Sequence, residues 1–476
     1  MTANPLAAGD PRLDLVVNDL HSQLNPTRVR AIARPATIED LARTIDSARD
    51  AGAAVAIAGG RHSMGGQQFG EDCVLVDTRD LNRVISFDRD RGVIDVEGGI
   101  QWPALIEYLN FVQPGRETDW GIVQKQTGAD RLSLGGALSS NVHGRGLTLK
   151  PIVDQVESFD LMDASGRVRC CSRESHTELF RLAIGGYGLF GVITRVGLRL
   201  RRRQKVRRVV EVIDTAELPA AFEERMQAGF LYGDFQFTIE AAAPDFLRRG
   251  VCSCYEPVPF STPLTESPIG FCPDEWQRLV LDAHANKRRA FDVYSRRYLE
   301  TSGQTYWADA QLGSPYVDGY HAAVDVACGS RIPGSEMITE VYVPRDHLVD
   351  FMEGARAELI ARRANLIYGT VRLIERDDET FLAWARDRYA CVVFNLHVEH
   401  SSAAVARTAD TFRALIDLAI SFGGSYYLTY HRWARRDQVE ACYPQMAAFL
   451  RMKRRHDSGE VFQSDWYRHL KWMLRD

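Results

Sequence analysis

The chain has 476 residues, 45% hydrophobic and 25% charged, with 58 basic against 63 acidic side chains and a net charge of −5. That balance excludes a polybasic binder of nucleic acid or anionic membrane, and the length offers material for two to three domains at roughly 150 residues each. No run approaches the roughly 18 apolar residues of a membrane span. The start, MTANPLAAGDPRLDLVV, lacks the basic lead and long apolar stretch of a secretory signal. The nine cysteines are odd in number, scattered and without a CxxC pair, which argues against a disulfide framework or a zinc site. A cytoplasmic protein is expected.

In chain order, Thr37-Ile-Glu-Asp40 reads as a capping box that opens a helix to about Ala51. The apolar run Ala53–Ala58 ends in a strand from Val55 and feeds directly into residues 58–67, AGGRHSMGGQ. Glycines there leave amide N–H groups open to a phosphate. Strand, glycine turn and polar segment are the order of a phosphate-cradling loop; the alternative is a plain strand-ending turn with one polar histidine. His62 stands among the glycines, an imidazole able to bond to a cofactor held on the loop. Short strands at Val74–Asp77 and Gly92–Glu97 and a helix at Trp102–Leu109 follow. Residues 132–146, LSLGGALSSNVHGRG, form a second glycine-dense segment.

Val156–Met162 and Val168–Cys171 flank the turn Asp163-Ala-Ser-Gly166 as a hairpin. A short helix at Glu178–Ile184, a third glycine segment at Gly185–Gly191 and a strand at Val192–Leu200 come next. Gly186-Tyr-Gly188-Leu-Phe-Gly191 matches GxGxxG, but a helix precedes it and a strand follows, the reverse of the dinucleotide fingerprint. A Rossmann reading is therefore rejected. Three glycine segments among short strands suggest one elongated cofactor threaded between two small α+β subdomains. At Arg201-Arg-Arg203 the texture changes, and a domain boundary is expected there. Strands at Met337–Val343, Leu366–Ile374 and Cys391–Val398 and helices at Arg345–Arg362 and Ala403–Phe422 follow. The chain ends in a helix near Trp466–Leu474.

Arg61-His62-Ser63, Ser133-Leu-Gly-Gly136, Asn141-Val-His143-Gly144, Gly185-Gly186-Tyr187-Gly188 and Gly191-Val192-Ile193-Thr194 together resemble the FAD-binding oxidoreductases of the vanillyl-alcohol oxidase, or PCMH, type. The resemblance covers most of residues 20–203 and returns in the last fifty or so. It implies an α+β, two-domain PCMH-type fold: a FAD-binding domain of two α+β subdomains over 1–203, completed by 425–476, and an α+β substrate (cap) domain over 204–424 built on an antiparallel sheet. It implies FAD against Gly59, Gly60, Arg61, His62, Ser63, Met64, Gly65 and Gln67 in the first loop. Thr127, Ser133, Gly135, Gly136, Ser139, Asn141, His143 and Gly144 follow in the second, and Gly188, Gly191, Val192 and Ile193 in the third. The RHS triplet matches alditol and aldonolactone oxidases, which implies an 8α-histidyl bond at His62. Ala129 stands where the berberine-bridge branch has a second, cysteine tether, so a single bond is implied. SLGGALSSNVHG, ELFRLAIGGYGLFGVITRV and VFQSDW also resemble the flavin oxidase half of decaprenylphosphoryl-ribose epimerases. That half binds FAD noncovalently and lacks this histidine.

The implied activity is oxidation of a CH–OH group of a polyol, sugar, sugar lactone or similar hydroxylated molecule by hydride transfer to flavin N5. Oxygen or another acceptor would reoxidise the flavin. The alternatives are the oxidase half of an epimerase serving a partner reductase, an oxidase tailoring an aromatic or polyketide metabolite, and a flavin-free binding protein. Glu340 resembles the substrate-holding strand glutamate of alditol oxidases, with Tyr342 where their arginine stands. Arg372 and Cys391 match ligand-facing positions of the epimerase half; Asn395 and His397 continue the Cys391 face. Tyr430 and His431 stand where that half has a lysine after its FGG turn. His143, Tyr430 and His431 are the candidate bases. The plainer readings are a solvated Glu340 paired with an arginine, a buried apolar thiol at Cys391, and a solvated helix face at Lys453-Arg454-Arg455. His397 and His400 point to opposite faces of a strand and HExxH spacing is absent, so no metal is expected.

Overall fold

The computed structural model describes residues 15–313 and 319–475. Residues 1–14, on which most of the signal-peptide reading rests, lie outside the described residues. The first lobe is a parallel sheet with Val74–Asp77 between Ala31–Ala33 and Val55–Ala58. The crossover helix, Ile38–Asp50, starts where the Thr37 side chain accepts the Asp40 amide and buries Leu41, Ile45 and Ala48 on one stripe. The second lobe is an antiparallel sheet in the order Val168–Ser172, Val156–Met162, Val192–Arg199, Val93–Glu97, Val84–Asp88.

The second glycine segment is not simply a loop: Leu134–Ser140 is helical. Ser133 caps it by accepting the Gly136 amide. Gly135 lies so close to the backbone at Gly98, to whose carbonyl it donates at 2.7 Å, that a Cβ would come within 3.0 Å of that oxygen. Close backbone approach here outweighs the ~1 kcal/mol that each glycine costs a helix.

The cap is one eight-stranded antiparallel sheet. Its order is Thr305–Trp307, Lys205–Asp214, Arg249–Val258, Tyr232–Phe237, Leu366–Ile374, Tyr389–Glu399, Gly334–Pro344, Ser425–Tyr426. Ser425–Tyr426 pairs with Val341–Tyr342, so the cap sheet runs past the expected limit at 424. Helices Leu348–Ala361 and Ser402–Ser421 cover one face, as the Phe351–Phe394 contact marks. Glu336, Ile338, Glu340 and Tyr342 alternate on the other. The chain then returns to the first lobe, where Val461 and Gln463 hydrogen-bond both sides of Val55 at 2.7 and 2.9 Å. The Cys252 and Cys254 sulfurs lie 3.8 Å apart on one face of their strand, and both residues are buried free thiols. Among the described residues, no helix is long and apolar enough to cross a membrane.

Candidate active site

All three glycine segments meet in one cleft of about 1280 Å³, counting its open mouth, whose cap side is formed by Ile338, Glu340, Arg372, Tyr427, Thr429 and Tyr430. The first loop leaves the parallel sheet at Ala58 and is braced from the cap. Met64 N–H donates to the Thr429 carbonyl at 3.0 Å, and the Gln67 side-chain amide donates to the Leu428 carbonyl at 2.6 Å. A Cβ at residue 59 would lie 2.0 Å from Ser133 Oγ, and one at residue 60 would lie 2.2 Å from the Arg131 carbonyl oxygen. Only glycine lets these backbones close on one another. Arg61 and Tyr187, both on the cleft, have φ of +60° and +52°. Such backbone strain costs of order 1–3 kcal/mol and gathers at functional sites.

His62 lines the cleft and sits 2.9 Å, Nδ1 to Nε2, from His21. Among the described residues, its Nε2 and the Thr127 hydroxyl are buried without a hydrogen bond of good geometry. Burial, with His21 beside it, pushes His62 down to about 3, so the ring is neutral and keeps a lone pair near neutral pH.

On the cap side, Glu340 is buried (1% exposed) and ringed by donors. Its Oε1 accepts from Tyr342 OH at 2.6 Å, from Cys391 Sγ at 3.0 Å and from His143 Nε2 at 2.6 Å; among the described residues, Oε2 accepts only the Tyr430 hydroxyl, at 3.2 Å. Burial alone would raise this carboxyl; the facing His143, with Cys391 and Tyr342, outweighs it and holds Glu340 down at about 2. Nδ1 of His143 lies 3.0 Å from the Gly144 carbonyl, so both ring nitrogens face oxygen acceptors. Burial pushes Tyr430 and Cys391 well above their usual ranges, with Glu340 adding to it, leaving a phenol and a thiol. Arg372 is buried and makes no ion pair among the described residues. Burial weighs against its charge, but Tyr368 and then Cys391, Asp234 and Glu340 raise it, so the guanidinium persists.

Of the residues expected against a cofactor, Gly65, Asn141 and Gly144 do not line the cleft. Gly65 N–H bonds the Gln67 side chain at 2.9 Å, Gly144 N–H bonds that of Gln124 at 3.1 Å, and the Asn141 side chain donates to Asp377 at 2.9 Å. These three hold the loops that carry the lining residues. Two catalytic candidates also fall elsewhere. His431 is a correction: it lies on the helix-covered face of the cap sheet, against Phe412, with Nε2 3.1 Å from Thr339 Oγ1. Thr339 precedes Glu340 in the same strand, so the pleat sends the two side chains to opposite faces. Asn395 is half-buried opposite Ile338, beside the cleft and outside its lining. Cys391, also outside the lining, reaches the site through Glu340 Oε1 at 3.0 Å and His143 Nε2 at 3.7 Å. His21 and Tyr427 line the cleft without having been read from the sequence; no local pattern marks either, since tertiary packing brings them there.

The glycine cradle and the unpartnered polar atoms suit a long polar cofactor, and the comparisons name its class. A family model described as "FAD binding domain" matches residues 29–172. The L-gulono-1,4-lactone dehydrogenase of Mycobacterium tuberculosis is 24% identical over 450 residues, 92% of this chain and 95% of that protein. Cytokinin dehydrogenase 2 of Oryza sativa subsp. japonica is 32% identical over 209 residues, 41% of this chain but only 35% of that protein. A FAD-dependent monooxygenase of Penicillium terrestre is 26% identical over 214 residues, 44% of this chain and 40% of that protein. The partial matches cover less than half of this chain, whereas the similarity to the lactone dehydrogenase extends over nearly all of it, cap included. On this footing residues 29–172 carry a FAD-binding domain, and the chain as a whole is similar to FAD-dependent oxidoreductases of the PCMH type.

Proposed function

We propose that the protein oxidises a CH–OH group of a sugar lactone or a similar polyhydroxylated molecule, with FAD tethered at His62. The carrying observation is Glu340, an ionised carboxylate buried at the cleft with three donors on one oxygen and only Tyr430 on the other. Oε2 has acceptor capacity left for a hydroxyl of the substrate. Arg372 supplies a fixed positive charge on the same wall, suited to a carbonyl or ring oxygen of a lactone. The near-full-length similarity to a lactone dehydrogenase supports this substrate class.

The first loop and Ser133–Gly136 would hold the cofactor along the groove, and His62 would anchor its ring end. Bound FAD supplies a hydride acceptor at its N5 atom. The protein's own part is positional. Glu340 Oε2 accepts a hydrogen bond from the substrate hydroxyl and fixes its direction, Tyr342 and Cys391 keep the carboxylate in one rotamer, and the facing His143 favours its ionised form. Tyr430, a phenol, orients the same hydroxyl from the other side of Oε2. The test is a spectrum of the purified chain, then anaerobic bleaching of its flavin band by L-gulono-1,4-lactone, other aldonolactones, alditols and a cytokinin. Bleaching by a lactone is the expected result. A flavin-loaded protein that only the cytokinin bleaches would overturn the substrate assignment.

A further inference from the structure

Away from the cleft, four cap segments bring three imidazoles to one carboxylate. Glu336 Oε1 lies 2.9 Å from His284 Nε2 and 3.8 Å from His397 Nδ1, and Oε2 lies 2.6 Å from His321 Nδ1. The rings come from helix Pro273–Ala285, helix Tyr320–Cys328 and strand Tyr389–Glu399. The side chains of His284 and Glu336 are each 3% exposed. The donor atoms of His284, Glu336 and His397 all lie within 4.8 Å of one another.

Hydrogen bonding satisfies this cluster only in part. Nδ1 of His284 lies 2.8 Å from the Val280 carbonyl, an acceptor for its N–H, and its Nε2 faces Glu336 Oε1 at 2.9 Å. Among the described residues, His397 Nδ1 and both nitrogens of His321 are buried without a hydrogen bond of good geometry. The Tyr320 hydroxyl already donates to Glu336 Oε2. One imidazolium would balance the carboxylate and leave the other rings unmatched, at about 1–3 kcal/mol for each orphaned group. A divalent cation removes the conflict. Neutral rings give it their lone pairs, the carboxylate offsets its charge, and the Val280 carbonyl holds the outer N–H as backbone carbonyls do for metal-bound histidines. Gly334 supports this fit, since a Cβ there would lie 2.4 Å from His397 Cε1 and 2.7 Å from its Nε2.

We propose that His284 Nε2, His397 Nδ1 and the Glu336 carboxylate, with His321 at the carboxylate's far oxygen, bind one divalent transition-metal ion, zinc by donor type. The donors are nitrogen and oxygen without thiolate, a set zinc accepts in four-coordinate sites. The ion fastens two helices of the 273–328 excursion to the end of the cap sheet. Glu336 shares a strand face with Glu340 four residues on, about 13 Å away at ~3.3 Å per residue, so the ion is separate from the cleft. His397 and His400 do face opposite ways, and His400 Nε2 bonds Ser335 Oγ at 2.8 Å. The partners of His397 come instead from segments far off in sequence.

The experiment uses the full chain, purified without a polyhistidine tag. Elemental analysis of the protein as isolated is followed by chelator stripping and calorimetric titration with zinc. The expected result is about one equivalent of zinc per chain, lost in Glu336→Gln and His284→Asn and bound ~10–100-fold more weakly in Tyr320→Phe. X-ray absorption of the bound ion should show nitrogen and oxygen neighbours only. Three results overturn the proposal: a folded, stripped wild type that takes up no stoichiometric zinc; ligand variants that keep the full equivalent; or sulfur in the metal's shell, which would move the ion to Cys391. Should a ligand variant fail to fold, the wild-type titration and absorption spectrum still decide.

Discussion

Glu340→Gln tests the proposed chemistry and the packing around it together. The substitution keeps shape and removes one charge. The amide oxygen can take the place of Oε1 and still receive Tyr342, Cys391 and His143, at 2.6, 3.0 and 2.6 Å in the wild type. Each bond to a charged acceptor, about 2 kcal/mol, becomes a bond to a neutral one, about 1 kcal/mol. The three losses total about 3 kcal/mol, at the lower end of what removing one partner of a buried ion pair costs. The amide NH₂ then stands where Oε2 stood and can no longer accept a substrate hydroxyl. Turnover should fall about 10²-fold or more, the usual cost of losing the group that orients the reacting atoms. Urea unfolding of the flavin-loaded protein reads the first effect, and anaerobic bleaching by a lactone reads the second. A variant within 1 kcal/mol of wild type in stability and within tenfold in bleaching rate, against the expected scale, would show that the donor ring is neither structural nor functional.

Three further outcomes are expected. Flavin should stay with the wild-type chain on acid precipitation and be released from His62→Ala; wild-type flavin in the supernatant would refute the tether. In Gly60→Ala the new methyl, 2.2 Å from the Arg131 oxygen, should cost about 1–3 kcal/mol by overpacking and weaken FAD binding ~10–100-fold; unchanged affinity in a flavin titration would contradict the cradle. His431 carries its effect through pH. Burial, then Arg413, pushes it down from 6.5 to about 3 in the folded chain. Between those limits the unfolded state binds one more proton, so its contribution to stability falls by about 1.4 kcal/mol per pH unit as pH drops from 6.5 towards 3. His431→Asn should flatten that slope in urea titrations between about pH 4 and 6, and an unaltered slope would count against the buried neutral ring.

The sequence shows the parts whose signal is local. Val55–Ala58, Val74–Asp77, Val156–Met162 and Leu366–Ile374 are short apolar runs closed by glycine or turn residues, and the structure has them with the same limits. Lys205–Asp214, KVRRVVEVID, carries charge on its exposed positions and conceals a ten-residue strand pairing along its whole length with Arg249–Val258. Leu134–Ser140 reads as a loop because its glycines serve close approach to Gly98 rather than a turn. Glu340 and Arg372 are legible through their strands, whereas the depth of Glu340 and the crowding of its Oε1 come from neighbours scattered between residues 143 and 430. His431 misleads because adjacency to Tyr430 says nothing about which side of a sheet a ring occupies. His21 and the Glu336 cluster arise from contacts between distant segments, for which periodicity has no signal.

The strand feeding the first glycine loop is flanked by residues from near the opposite end of the chain, through Val461 and Gln463 on either side of Val55. The loop itself leans on Leu428 and Thr429. Until residues 428–463 have been made and have folded back, the first loop lacks the edge and the brace that shape the pocket for the flavin. A polypeptide cut short of Leu428 should therefore fail to acquire the colour of a flavoprotein, however intact its first glycine motif.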